Sequence, residues 1–264
     1  MTAGRADTDS LQSDFNAREG AAVVLGASGG LGGAVAELLL ARGSRVALTY
    51  RNGAEKVEAL AARYPGRSRA YRVELADPDA CTALAEQVLA DSGAVHTVVY
   101  AAGPHVPMTH ISTVPAAQFR AQIEQDAVAF LNAVLPLLPA LRSTSGALVA
   151  ITTAATSRFP VRDGLSSIPK AAVEAAVRGL AAEEGRFGIR ANCVGPGMLT
   201  DGMAERLISS GDLDERALAV ARDHIPLRRF GVAADIAEAV CFLASDRAGF
   251  ITGQKLDVDG GYGV

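Results

Sequence analysis

The sequence predicts an α/β fold: one doubly wound parallel sheet with helices on both faces. Three observations carry that prediction. Short apolar runs of strand length alternate with longer helical patterns from residue 21 to the C-terminus. A glycine-rich turn, LGASGGLGG at 25–33, joins the first run to the first helical pattern. Hydrophobic residues make up 49% of the 264, enough to bury a sizeable core. Strand–helix alternation implies parallel strands, and right-handed crossovers wind them into an open sheet that binds ligands at its carboxyl edge.

In order, strands are expected at 21–25, 45–50, 69–75, 95–101, 147–153, 189–194 and 255–258. The helices between them are expected at 31–41, 54–63, from Asp77-Pro78 onward, 116–141, 167–184, in pieces over 202–222, and at 233–245. Asp77 is an N-cap followed by a proline that suits a first helical turn. Pro136 and Pro139 should bend or end the 116–141 helix.

A net charge of −4 gives no pull towards nucleic acid or an anionic membrane. No apolar run is expected to reach membrane-spanning length. The three cysteines, Cys81, Cys193 and Cys241, lack metal-ligand spacing and read as buried thiols in a reducing, cytoplasmic compartment. No metal site is expected. Residues 1–19 are polar and read as a flexible arm before a single domain at 20–264. Lysine is scarce, with Lys56, Lys170 and Lys255 set against 22 arginines.

Within 25–33, Gly26, Gly30 and Gly32 open straight into a helix. Glycines let backbone N–H groups approach a pyrophosphate at a helix N-terminus, and Ser28 adds a hydroxyl. The second strand ends RVALTYRNG. A free ribose 2′-OH usually meets an acid at this point, whereas Arg51 suits a 2′-phosphate. The expected cofactor is therefore NADP(H).

These segments resemble the short-chain dehydrogenase/reductase family over about residues 20–262. GASGGLG is one mark. VVYAAG at 98–103 is similar to that family's NNAG segment, with Tyr100 and Ala101 in place of both asparagines. GALVAITT at 146–153, IRANCVGPG at 189–197 and the stretch 228–261 continue the likeness. The resemblance implies a Rossmann-type sheet of about seven strands. It implies a cofactor site formed by Gly26, Ser28, Gly30, Leu31, Gly32, Arg51, Glu74, Leu75, Ala102, Gly103, Lys170, Pro196, Gly197, Leu199 and Thr200. It also implies a small-molecule substrate, a substrate lid within 200–225, and a homodimer or homotetramer associating through the Ala-rich helix 167–184.

The catalytic positions depart from the family's Asn, Ser, Tyr and Lys. The serine position falls on Thr153 and the lysine on Lys170. The asparagine position falls on Gln125, with Asp126 one register step away. The tyrosine position is Ser166, and no tyrosine lies between 101 and 261. A phenol with a pKa of about 10 can protonate an alkoxide, whereas a serine hydroxyl is closer to water at about 16. Ketone reduction is thereby weakened. Reduction of a C=C bond conjugated to a thioester carbonyl needs only hydrogen-bond donors for an enolate oxygen, a role open to Ser166, Thr153 and Lys170. The 2,4-dienoyl-CoA reductase branch resembles this chain in having SxxxK and using NADPH, but it also has an upstream tyrosine that 154–165 lacks. Imine reduction, a non-redox dehydratase, isomerase or cyclase, and an inactive NADP(H)-binding protein also tolerate the missing phenol. Ser166 or Ser167 can alternatively cap the helix. Other candidate acids or substrate contacts are His105, His110, Arg162 and Asp163.

Overall fold

In the computed structural model, residues 14–104, 106–200 and 215–264 are described. The expected arm falls mostly outside them, but part of its end is packed: Phe15 is buried, and Asp14 bridges Arg42 and Arg247. His105 and residues 201–214 of the expected lid also lie outside.

Seven parallel strands form the sheet in the order β3-β2-β1-β4-β5-β6-β7. They are β1 (Ala21–Leu25), β2 (Val46–Tyr50), β3 (Ser68–Arg72), β4 (Val95–Tyr100), β5 (Ala147–Ile151), β6 (Arg190–Pro196) and β7 (Lys255–Val258). The order runs outward both ways from β1 and β4, so the switch point opens a crevice at their carboxyl ends. Helices α1 (Gly30–Ala41) and α2 (Ala54–Arg63) cover one face with α9 (Ala233–Ala244). The other face carries α3 (Pro78–Ser92), the segmented stretch α4 (Ala116–Ile123), α5 (Ala129–Val134) and α6 (Leu138–Thr144), and α7 (Gly164–Glu184). Helix α8 (Glu215–Asp223) precedes α9.

Local chemistry accounts for several boundaries. Asp77 caps α3 as expected, its Oδ1 accepting from Asp79 N at 2.9 Å and Ala80 N at 3.2 Å. Arg190, at the start of β6, donates from both terminal nitrogens to the carbonyls of Leu243, Ala244, Ser245 and Ala248, closing the C-terminus of α9. Asn192 of IRANCVGPG donates to Ile251 O and accepts from Gln254 N, pinning the entry to β7.

Strand β5 ends at Ile151 and β6 at Pro196, each two residues from expectation, and three other elements differ more. Strand β3 ends at Arg72, though Val73 N still donates to Tyr50 O. The 116–144 stretch is broken at Leu135–Leu137, where Pro136 falls, and also at a wider π-type turn, Glu124–Val128, that contains no proline. By length and hydropathy that stretch could cross a membrane, yet here it packs against α3 and α7. Helix α7 begins at Gly164 rather than near 167. Its N-cap position is Asp163, whose carbonyl accepts from Ser166 N and Ser167 N, so neither serine caps it and Pro169 lies inside the helix.

His96 on β4 is buried beneath Phe15, with ring centroids 5.9 Å apart, and contacts Ser44 Oγ and Thr97 Oγ1. Burial, and then the charge of Arg18, push its imidazole down to about 4. The unfolded chain takes up this proton near pH 6.5 and the folded chain only near 4. Stability at this group is therefore complete above pH 6.5 and lost as pH falls to 4, by about 3 kcal/mol in total. Urea denaturation across pH 7 to 4.5 should show that decline, and His96→Asn should flatten it between pH 6.5 and 5.

Candidate nucleotide and catalytic site

The turn after β1 is held from beneath by β2: Gly26 N donates to Thr49 Oγ1 at 3.1 Å and Ala27 N to Thr49 O at 2.8 Å. Gly26 has φ +91°, and a Cβ there would meet the Ala102 backbone at 2.9 Å. A Cβ on Gly32 would lie 2.2 Å from Gly26 O, so the turn and the first turn of α1 touch backbone to backbone. A Cβ on Gly30 would meet no protein atom within 4 Å. The turn is thus packed on its inner side and open at the start of α1, a cradle suited to a diphosphate at a helix N-terminus.

A cleft of about 220 Å³ runs along this turn. Of the expected cofactor residues, Gly26, Ser28, Arg51, Glu74, Leu75, Ala102 and Gly103 line it, and so does Gln125. Gly30, Leu31 and Gly32 stand at the start of α1 beside it. Arg51 is half exposed at the cleft, 3.6 Å from Glu74 across the ends of β2 and β3. An exposed pair at that distance holds weakly and leaves the guanidinium available to an anion. Pro196, Gly197, Leu199 and Thr200 leave the same carboxyl edge at β6. Gly197 N donates to Val258 O, Leu199 pairs with Gly231 and Thr200 N donates to Gly231 O, and none of the four is among the residues lining the cleft.

Lys170, on α7, comes close to Gly103, one of the residues lining the cleft. A Cβ on Gly103 would lie 3.2 Å from its Nζ. The ammonium donates to Asp126 Oδ1 at 2.9 Å, and both side chains are largely buried, 14% and 2% exposed. The partner of Lys170 is therefore Asp126, while Gln125, expected first, faces the cleft. Both residues lie in the Glu124–Val128 turn, which presents one to the cleft and the other to Lys170.

Ser166 lies in the first turn of α7, four residues before Lys170, so the two share a helix face. Thr153 follows β5, and its Oγ1 accepts from Ala155 N at 3.1 Å, leaving its own proton to donate. Asp163 sits one turn before Ser166. Burial raises its carboxyl above the ordinary range, and Ser167 Oγ, which donates to it, offsets part of that rise. Arg162, with φ +73°, donates to Met108 O, and its own carbonyl accepts from Thr109 N, tying the loop after β4 to the start of α7. His110 is exposed. Thr49 carries no motif in the sequence, and Tyr100 stands there only as a departure from NNAG, with no role attached. A hydroxyl one strand away from the glycine turn was the available sign for Thr49.

Comparisons with known proteins agree with this fold. The family model described as enoyl-(acyl carrier protein) reductase matches residues 26–263. The chain is 34% identical over 250 residues to cis-4-hydroxycyclohexanecarboxylate dehydrogenase of Sinomonas cyclohexanicum, covering 92% of this chain and 96% of that protein. It is 31% identical over 247 residues to the 3-oxoacyl-[acyl-carrier-protein] reductase FabG of Staphylococcus aureus, covering 91% and 96%. Among solved structures it is similar to the NADPH-bound short chain oxidoreductase of Pseudomonas aeruginosa PAO1 described as containing an atypical catalytic center. That match has a TM-score of 0.84 at 30% identity and covers 92% and 96% of the two chains.

The cradle predicts opposite outcomes for two neighbouring glycines. Gly32→Ala should lower stability by about 1–3 kcal/mol, because two backbone segments must part. Gly30→Ala should leave the melting temperature unchanged and weaken dinucleotide binding. Thermal melts and a fluorescence titration of both variants would check this.

Proposed function

Because the chain belongs to the short-chain dehydrogenase/reductase family, we propose that it is an NADPH-dependent reductase whose acceptor needs no tyrosine acid, in the first instance a conjugated C=C bond of an enoyl thioester. The observation that carries this reading is the cleft itself, lined by Arg51 and by Gly103, with the Lys170 ammonium beside Gly103. The acyl-carrier-protein substrates named for FabG and for the family model support the thioester class. The NADPH bound to the Pseudomonas relative supports the cofactor.

The residues present fit NADPH: the start of α1 is open for a diphosphate, and Arg51 is available to a 2′-phosphate. NADPH, when bound, supplies the hydride. Lys170 would hold the ribose nearest the reacting end. The Ser166 and Thr153 hydroxyls would donate to the thioester oxygen as negative charge gathers there, and water would protonate the carbon afterwards. An alkoxide from a simple ketone would find only these hydroxyls as acids, which are too weak to protonate it efficiently.

A second reading is favoured by Asp126. Its carboxylate takes up the Lys170 charge, so the fixed charge beside the acceptor is balanced. An iminium acceptor brings its own proton and loses its positive charge on reduction, and a balanced site suits it better than it suits an enolate. We place the protein in the cytoplasm, supported by three unpaired, buried cysteines. We further propose a homo-oligomer. Val128, Leu131 and Leu135, exposed along one line of the α4–α6 stretch, offer it an apolar surface besides α7.

Two outcomes follow. Arg51→Ala should weaken NADPH binding about 10-fold or more, the weight of a charge-assisted hydrogen bond, and barely change NADH binding. Glu74→Gln should strengthen NADPH binding by removing a negative charge beside the 2′-phosphate. Unchanged cofactor preference in both variants would count against the 2′-phosphate role. Stopped-flow absorbance with enoyl thioesters and cyclic imines should show NADPH oxidation on one class and strong loss of turnover in Lys170→Ala. Substrate conversion without NADPH oxidation would point to non-redox chemistry, and binding without conversion of any kind to an inactive cofactor binder.

A further inference from the structure

Two of the positions that depart from the family pattern touch each other. Tyr100, the last residue of β4, is fully buried and packs edge-to-face on Phe130, with ring centroids 5.1 Å apart. Its hydroxyl donates to the backbone carbonyl of Asp126 at 3.0 Å. That carbonyl belongs to the widened turn Glu124–Val128, where Ala129 N–H reaches back to the Glu124 and Asp126 carbonyls. The Asp126 side chain leaves the same residue to accept from Lys170 Nζ. Burial drives the Tyr100 phenol well above its ordinary range, so it stays a hydrogen-bond donor at every working pH.

The turn is where a small force has a large effect. Regular winding through 124–128 would change the direction of residue 126 by about 100°, the rotation of one residue, and carry its carboxylate away from Lys170. Single wide turns of this kind are uncommon in helices and need local support. Tyr100 supplies it from the strand, and the next residues of that strand's exit, Ala101–Gly103, line the nucleotide cleft. Lys170 therefore meets the end of β4 twice: once directly, where Gly103 leaves room for Nζ, and once through Tyr100 and Asp126.

We propose that Tyr100 is a positioning residue for Lys170: its hydroxyl holds the Asp126 carbonyl in the widened turn and so aims the carboxylate that fixes the ammonium. The proposal assigns a task to a tyrosine that stands where the family has asparagine. It rests on the reading of Lys170 as the cofactor-side lysine only for the meaning of that task, and the experiment separates the two.

The chain has three lysines, which makes the test direct. Wild type, Tyr100→Phe, Asp126→Asn and the double variant are pulse-acetylated with limiting acetic anhydride, and each lysine is quantified by peptide mass spectrometry. Lys56 is exposed and calibrates the reagent. Lys255, 15% exposed against 14% for Lys170, reports general loosening. Tyr100→Phe should raise the Lys170 rate relative to Lys255 about fivefold, the weight of one net hydrogen bond. Asp126→Asn should raise it at least as much, and adding Tyr100→Phe to it should change nothing further. An unchanged Lys170 to Lys255 ratio in Tyr100→Phe, or effects that multiply in the double variant, would overturn the proposal. Wild type is also labelled with saturating NADPH. Protection of Lys170 there supports the proposed function, and its absence counts against that function while the Tyr100 result stands on its own.

Discussion

The buried ion pair between Lys170 and Asp126 is the interaction on which the rest of the site depends. Two opposite charges taken out of water are stable only if each stays within hydrogen-bond reach of the other, and removing one partner from such a pair costs about 3–5 kcal/mol. The pair spans α7 and the turn between α4 and α5, so it fixes the separation of two helices on one face of the sheet. The carboxyl ends of β4 and β5 deliver the other parts to the same place. Gly103 makes room for the ammonium, and Thr153 leaves β5 one strand away.

The pair also bears on the chemistry. A free ammonium beside a hydroxyl would stabilise an oxyanion and help a weak acid to act. An ammonium already matched by a carboxylate does so less. Under the proposed function, the absent phenol and the matched lysine both favour an acceptor that makes little demand for a proton at the moment of hydride transfer. Asp163 is a further acid on the same helix, held by burial in a range where it keeps its proton to higher pH than an exposed aspartate.

Much of the sheet could be read directly from the sequence, because strand–helix alternation and glycine turns are local signals. Ala21–Leu25, Ala54–Arg63 and Lys255–Val258 agree with their expected limits, and Asp77 caps the helix it was expected to cap. That the glycine turn and Arg51 lie together at one cleft is likewise legible, since each follows the end of a strand. What escaped was non-local. The start of α7 depends on Asp163 and on a loop pinned by Arg162, so local helix signals place it three residues late. The choice between Gln125 and Asp126 turns on a widened turn that no proline or glycine announces. The role of Phe15 was hidden because one aromatic in a polar segment carries no periodicity, although its ring closes over His96.

The three cysteines have a practical meaning. Cys81, Cys193 and Cys241 are unpaired, buried, and pushed by desolvation up to about 11, 12 and 12. Nucleophilic sulfur is the thiolate, and at neutral pH almost none forms at these positions. To maleimides and iodoacetamide the folded protein is close to a blank. A single cysteine introduced on its surface could then carry a fluorophore or a spin label without first stripping the native thiols from the core.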